Sequence, residues 1–250
     1  MTVILERGDV FWFHRPRVGV EEVRGHDDVQ RFCFILRPDG TTRYHRLIVG
    51  RKRMPDPDAR EREWAFVAEV TDDPEEWRDD DARAPGTRLR GMRVPPPARP
   101  AGEGRYVIAD HGGHTHIATA LELPPTPGET QHRFGILEQA SYIVAVRNPD
   151  VPVQRGAGLP PSRRAAFPPA LRERFGKRRF APLHPPSFLD YEGAEIVLLG
   201  ASADTRRELG FTLDAEQERL EEADIFAALG LQPRDVVVEL ARGDSADLRA

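Results

Sequence analysis

From Gly8 to Val70 the sequence is a series of short, alternating apolar runs cut by turn residues, and no other feature constrains the fold as much. "GDVFWFHRP" is aromatic and ends at Pro16, and "REWAFVAEV" is a further run; between them, "VQRFCFILRPDGTTRYHRLIVGRK" places two β-rich stretches around Pro38, Asp39 and Gly40. Proline presets φ and glycine accepts a positive φ, so this tripeptide predicts a tight reversal between paired strands. Strands joined by short reversals pair antiparallel.

An acidic stretch, "TDDPEEWRDDDA", and a proline- and arginine-rich one, "RAPGTRLRGMRVPPPARPAGEG", follow. Neither buries much apolar surface, so residues 72–102 read as loop or linker. The expected organisation is one compact domain over 1–250, with a possible division into a β-rich 1–71, this linker, and 103–250. Beyond it come a glycine-centred hairpin near 105–123 and "ASYIVAVRNPD", a strand ended by Asn148 and Pro149. In "PPALRERFG", Leu171 and Phe175 continue the spacing begun by Phe167, one helical face with Gly176 as its cap. "AEIVLLG" reads as a strand, "ADTRRELG" as a short helix, and "DAEQERLEEADIFAALG" as a longer helix opened by Asp214 and Gln217 and ended by Gly230. "DVVVEL" is a last strand. This order suits a parallel crossover or strands added to the edges of a larger sheet. The expected class is α+β: a predominantly antiparallel sheet, as a sandwich or partly open barrel, with a few peripheral helices after residue 160.

A chain of 250 residues is long enough to bury a sizeable core. Its one cysteine, Cys33, excludes an intrachain disulfide and lies in an apolar run, where a buried, inert thiol is expected. "MTVILERGDVFWF" lacks the order of a secretory signal, and no apolar run approaches the ~20 residues that span a bilayer, so a cytoplasmic protein without a membrane partner is expected. The formal charge of −5 argues against a globally basic nucleic-acid binder. Lysine occurs only at Lys52 and Lys177 and asparagine only at Asn148, a bias that fits coding composition better than function.

"DHGGHTH" concentrates the chemistry. A two-residue turn at Gly112 and Gly113 pairs His111 with His114 and Ala109 with His116, and puts all three histidines on one face. A three-residue loop would instead pair Asp110 with His114. The first register collects Tyr106, Ile108, Ile117, Thr119, Leu121 and Leu123 on the opposite face, and is preferred for that segregation. Three imidazoles with an open position suit a divalent metal such as zinc, and with it a metal-dependent enzyme, most simply a hydrolase. The His-x-His pair invites comparison with cupins, but Glu122 follows too late and their second motif is missing. A solvated hairpin face is the simpler expectation.

The second candidate is basic. Arg172, Arg174, Lys177, Arg178 and Arg179 crowd a segment holding Glu173 as its lone acid, and guanidinium forks bind phosphate in bidentate fashion. Phe167, Phe175 and Phe180 interleave and could stack bases, but the expectation is that they dock the segment to the body while the arginines are solvated or pair with the acidic segments. "IVLLGASADT" puts Ser202 and Asp204 between a strand and a helix, where capping explains them. "HRPR" and "GHDD" are polar clusters that could join the histidine hairpin. With no recognisable catalytic motif, the favoured reading is a ligand-binding or accessory protein, with a possible protein partner; the alternatives are the metal enzyme and an anion- or nucleic-acid-binding surface on 155–179.

Overall fold

A computed structural model of the chain describes residues 1–74, 96–152, 158–213 and 228–229. The runs of the first 71 residues form β1 (Val3–Pro16), β2 (Val29–Pro38), β3 (Tyr44–Val49) and β4 (Arg62–Thr71), an antiparallel meander. β5 (Arg99–His111) returns beside β1 and leads through the glycine turn to β6 (His114–Leu123), which pairs with β7 (Gln139–Arg147). The short β8 (Phe180–Pro182) extends the far edge of β7, and β9 (Glu195–Ser202) enters between β7 and β4. The order β6-β5-β1-β2-β3-β4-β9-β7 therefore closes through the β6–β7 pairing into an eight-stranded antiparallel barrel. Strands on both sides of residues 75–95 share this one sheet.

Among the described residues, short helices lie outside the wall as α1 (Glu129–Phe134), α2 (Pro169–Glu173) and α3 (Thr205–Leu209). α1 precedes residue 160, earlier than helices were expected. β9 differs from expectation too: it is antiparallel to both neighbours and closes the ring, so it is neither half of a parallel crossover nor an edge. The expected longer helix from Asp214, apart from Ala228 and Leu229, and the "DVVVEL" strand lie outside the described residues.

Alternation decides what fills the barrel. Val10 and Trp12, Phe32 to Leu36 at every second position, Leu47 and Val49, Tyr106 and Ile108, and Ile196 and Leu198 all belong to one buried cluster. An eight-stranded barrel is just wide enough for such side chains to meet across its axis. Both mouths are stoppered by aromatics. Where β1 ends, Phe134 stacks on Phe32 with centroids 5.1 Å apart and on His14 at 4.8 Å. Where β1 begins, the segment after Gly158 folds over the opening, and Phe188 meets Phe167 edge-on at 5.1 Å and Phe175 at 5.5 Å. Phe167 and Phe175 are buried, so they dock the basic segment and do not reach a ligand.

The outer wall is also covered in part. Phe11, Phe13, Ile35 and Tyr44 form a second apolar cluster with Ala228 and Leu229, and Tyr44 Oη donates to Ala228 O at 2.8 Å. Val107, Ala109, Ala118 and Ala120 lie under Leu209 and Leu213. Cys33, expected to be buried, is half-exposed on this outer wall, opposite Phe13.

Candidate functional site

The histidine hairpin has the segregated register. His111 pairs with His114, Ala109 with His116 and Val107 with Ala118, and Gly112 and Gly113 both hold positive φ, 59° and 85°, as a type I′ turn requires. Tyr106, Ile108, Ile117 and Leu121 join the barrel core as expected, but Leu123, after a bulge at Glu103 and Gly104, joins the outer cluster.

The histidine face is not open, because α3 and the chain after it lie over the alanines beside it. Thr2 Oγ1 donates to Leu209 O at 2.6 Å, so it accepts from His111 Nδ1 at 2.8 Å; this fixes that tautomer and ties the first residues to α3. His116 is buried with Nδ1 3.0 Å from Ser141 Oγ, and burial lowers its pKa against the nearby Glu208 carboxylate. The His111 and His116 rings meet edge-on at 6.0 Å, while His114 is exposed. Among the described residues, no three or more His, Cys, Asp or Glu side chains are grouped so that they could hold a metal ion.

The other polar clusters separate. His14 and His26 lie at the Phe134 end and do not join the hairpin: His26 Nε2 is 2.8 Å from Arg133 O. Burial, aided by the Arg99 and Arg133 charges, lowers the His14 pKa to about 3. Asp204 caps α3, its Oδ1 accepting from Arg207 N at 2.9 Å, and Ser202 Oγ accepts from Asp204 N at 3.0 Å in the turn before it. An open groove of about 720 Å³ beside them carries the acids Glu122, Glu138 and Asp204.

At the mouth where β1 begins, the fold assembles a group that no motif in the sequence announces. Tyr106 Oη donates to Glu6 at 2.8 Å, and burial raises the Glu6 pKa in spite of that bond and of the nearby His45. His45 Nε2 donates to Asp190 Oδ1 at 3.0 Å and, with Arg43, lowers the Asp190 pKa. His45 Nδ1 is buried with no hydrogen-bond partner among the described residues. The group holds an acid and a base, and none of its four side chains is a serine, threonine, cysteine or lysine.

The basic segment is the one sequence candidate that the fold leaves accessible as a set. Arg172, Arg174, Lys177, Arg178 and Arg179 are all exposed. Arg172 approaches Asp150 at 3.8 Å, and Arg178 donates to the carbonyls of Phe175 and Arg174; among the described residues, no carboxylate lies within 4.0 Å of Arg174, Lys177, Arg178 or Arg179. Elsewhere several arginines are paired: Arg37 and Arg105 meet Asp9, Arg46 meets Glu69, Arg51 and Arg53 meet Glu61, and Arg147 meets Glu195, while others such as Arg7, Arg31, Arg62 and Arg163 stand exposed and scattered. The segment is pinned by Asn148, whose N and Nδ2 donate to the carbonyls of Arg179 and Arg178 at 2.8 and 3.1 Å.

No helix among the described residues is long and apolar enough to cross a membrane. Comparisons with protein-family models, with curated proteins and with solved structures find no match.

Proposed function

We propose that this chain is a binding protein, without catalytic chemistry of its own, that takes up a phosphate-bearing anion on the ridge of Arg174, Lys177, Arg178 and Arg179. One observation carries the reading: these four cations stand exposed within six residues of chain, with no carboxylate partner among the described residues, in a chain that is otherwise acidic. The net charge of −5 does not oppose it, because charges beyond about 8–10 Å are screened at physiological salt and the ridge acts locally. Guanidinium groups on a pinned backbone lose little freedom when they chelate phosphate, which favours a fixed ridge over a mobile tail. Arg172, tethered towards Asp150, borders the ridge.

The test is calorimetric titration of the full chain with inorganic tripolyphosphate at low salt, beside an R174Q/K177Q/R179Q variant. Arg178 is left intact because its backbone hydrogen bonds shape the turn. Saturable binding weakened at least tenfold in the variant, with the melting temperature unchanged, is the expected result. Equal binding by both proteins would contradict the reading.

A further inference from the structure

Resting on that reading, we propose that the ligand is a single-stranded nucleic acid, its bases stacked on Trp64 and Phe180 and its phosphates held by the adjoining ridge. The observation is a juxtaposition on the outer wall. Across four strands, Trp64 pairs with Val197, Val197 with Ala145, and Ala145 with Pro182, so these side chains form one row. All four are at least partly exposed, and the small residues at its centre leave a shallow floor. Phe180, on the same face of β8 as Pro182, brings its ring to 5.9 Å from Trp64 at an interplanar angle of 43°. The two rings are tilted and do not cover each other.

Phe180 is 37% exposed and is the one aromatic among the large hydrophobic side chains that the described residues leave exposed. Its sequence position ties it to the charge: Lys177, Arg178 and Arg179 immediately precede it, at about 3.8 Å per residue along the backbone. Of the acids nearby, Glu195 is buried against Arg147 and Asp150 faces Arg172, while the exposed Glu173 offsets one charge of the basic segment. A bare phosphate would leave the aromatic pair unused, and a duplex keeps its bases inside its own stack. An unpaired strand uses both features, because every base offers a π face and every link a phosphate. The same chemistry predicts little sequence preference.

The experiment uses the full chain, fluorescein-labelled dT12 followed by anisotropy, and a duplex of equal length, at low salt. Phe180→Ala removes the ring, and Phe180→Leu keeps apolar volume while removing the π face, so a folding defect is told apart from lost stacking. The expected result is dT12 binding weakened about tenfold in both variants, tripolyphosphate binding unchanged in both, and the duplex bound more weakly than dT12. Binding of dT12 that is indifferent to both Phe180 substitutions, or no tighter than the duplex, overturns the nucleic-acid assignment and leaves the anion ridge standing. Poly-glutamate that displaces dT12 at equal charge concentration overturns it in favour of an acidic protein partner. Failure to bind tripolyphosphate as well removes the ridge itself.

Discussion

Arg147 and Glu195 form an ion pair on neighbouring strands with only 4% and 5% of their side chains exposed, beneath the segment that carries the basic ridge. Glu195 also accepts from Leu159 N at 2.7 Å, and Arg147 donates to Val151 O at 2.8 Å, so the pair ties the chain leading into that segment to the barrel wall at two points. Removing one partner leaves a buried charge uncompensated. Glu195→Ala is expected to cost about 3–5 kcal/mol of stability, whereas a double replacement by Arg147→Met and Glu195→Leu costs much less, because no charge is stranded. Chemical denaturation of the three proteins checks this; a single variant no less stable than the double would refute it.

Phe175 is 1% exposed and packs against Phe167 and Phe188. Phe175→Ala is expected to cost about 3–5 kcal/mol through lost burial and the cavity left behind. The same substitution at Phe180, which is 37% exposed, is expected to stay within about 1 kcal/mol. Equal losses at the two positions would mean that the segment is docked differently.

Gly193 holds φ of +80°, and a Cβ there would lie 2.1 Å from Arg163 O. Its N donates to Val67 O at 2.7 Å and its carbonyl accepts from Ala165 N at 3.1 Å, so it joins the barrel wall to the start of the basic segment. The left-handed backbone alone makes Gly193→Ala cost about 1–2 kcal/mol, and the clash adds to it. Faster proteolysis around Arg163 and Arg164 in the variant is the specific sign to look for; global destabilisation without it would argue against the joint.

His14 makes stability fall in acid. Its pKa is about 3 in the folded protein and near 6.5 when unfolded, so below pH 6.5 the unfolded chain gains a proton that the folded one refuses. The contribution is whole above pH 6.5 and is lost as pH falls towards 3, on the order of 3 kcal/mol by pH 4. A His14→Leu variant should lose less stability than the parent between pH 7 and pH 4. Parallel pH profiles would contradict the assignment. Glu6 has the opposite sign: its raised pKa means stability present below its unfolded value and lost as pH rises, so Glu6→Gln should stabilise the protein at pH 7.

Local patterns were legible in the sequence, and closure was not. The β1–β4 meander followed from alternation and turn chemistry, and the hairpin register from the gathering of Tyr106, Ile108, Ile117 and Leu121 on one face. The capping role of Asp204 and the docking roles of Phe167 and Phe175 followed likewise. What sequence order could not reveal is that β9 drops between β4 and β7, because that pairing joins strands far apart in the chain. Three consequences of closure stayed hidden with it: the cover over His116, the Glu6–Tyr106 and His45–Asp190 bonds at the mouth, and the meeting of Trp64 with Phe180. Phe180 was visible as an aromatic within a basic run, but its exposure was not.

The salt dependence of dT12 binding is the most direct measurement. Each phosphate neutralised on a single strand adds about −0.7 to the slope of log K against log salt concentration. A ridge that carries the binding gives a slope of about −2 to −3 in the parent and takes about 2 from its magnitude in the R174Q/K177Q/R179Q variant, since three cations are lost. The same slope in both proteins would place the binding elsewhere and contradict the ridge.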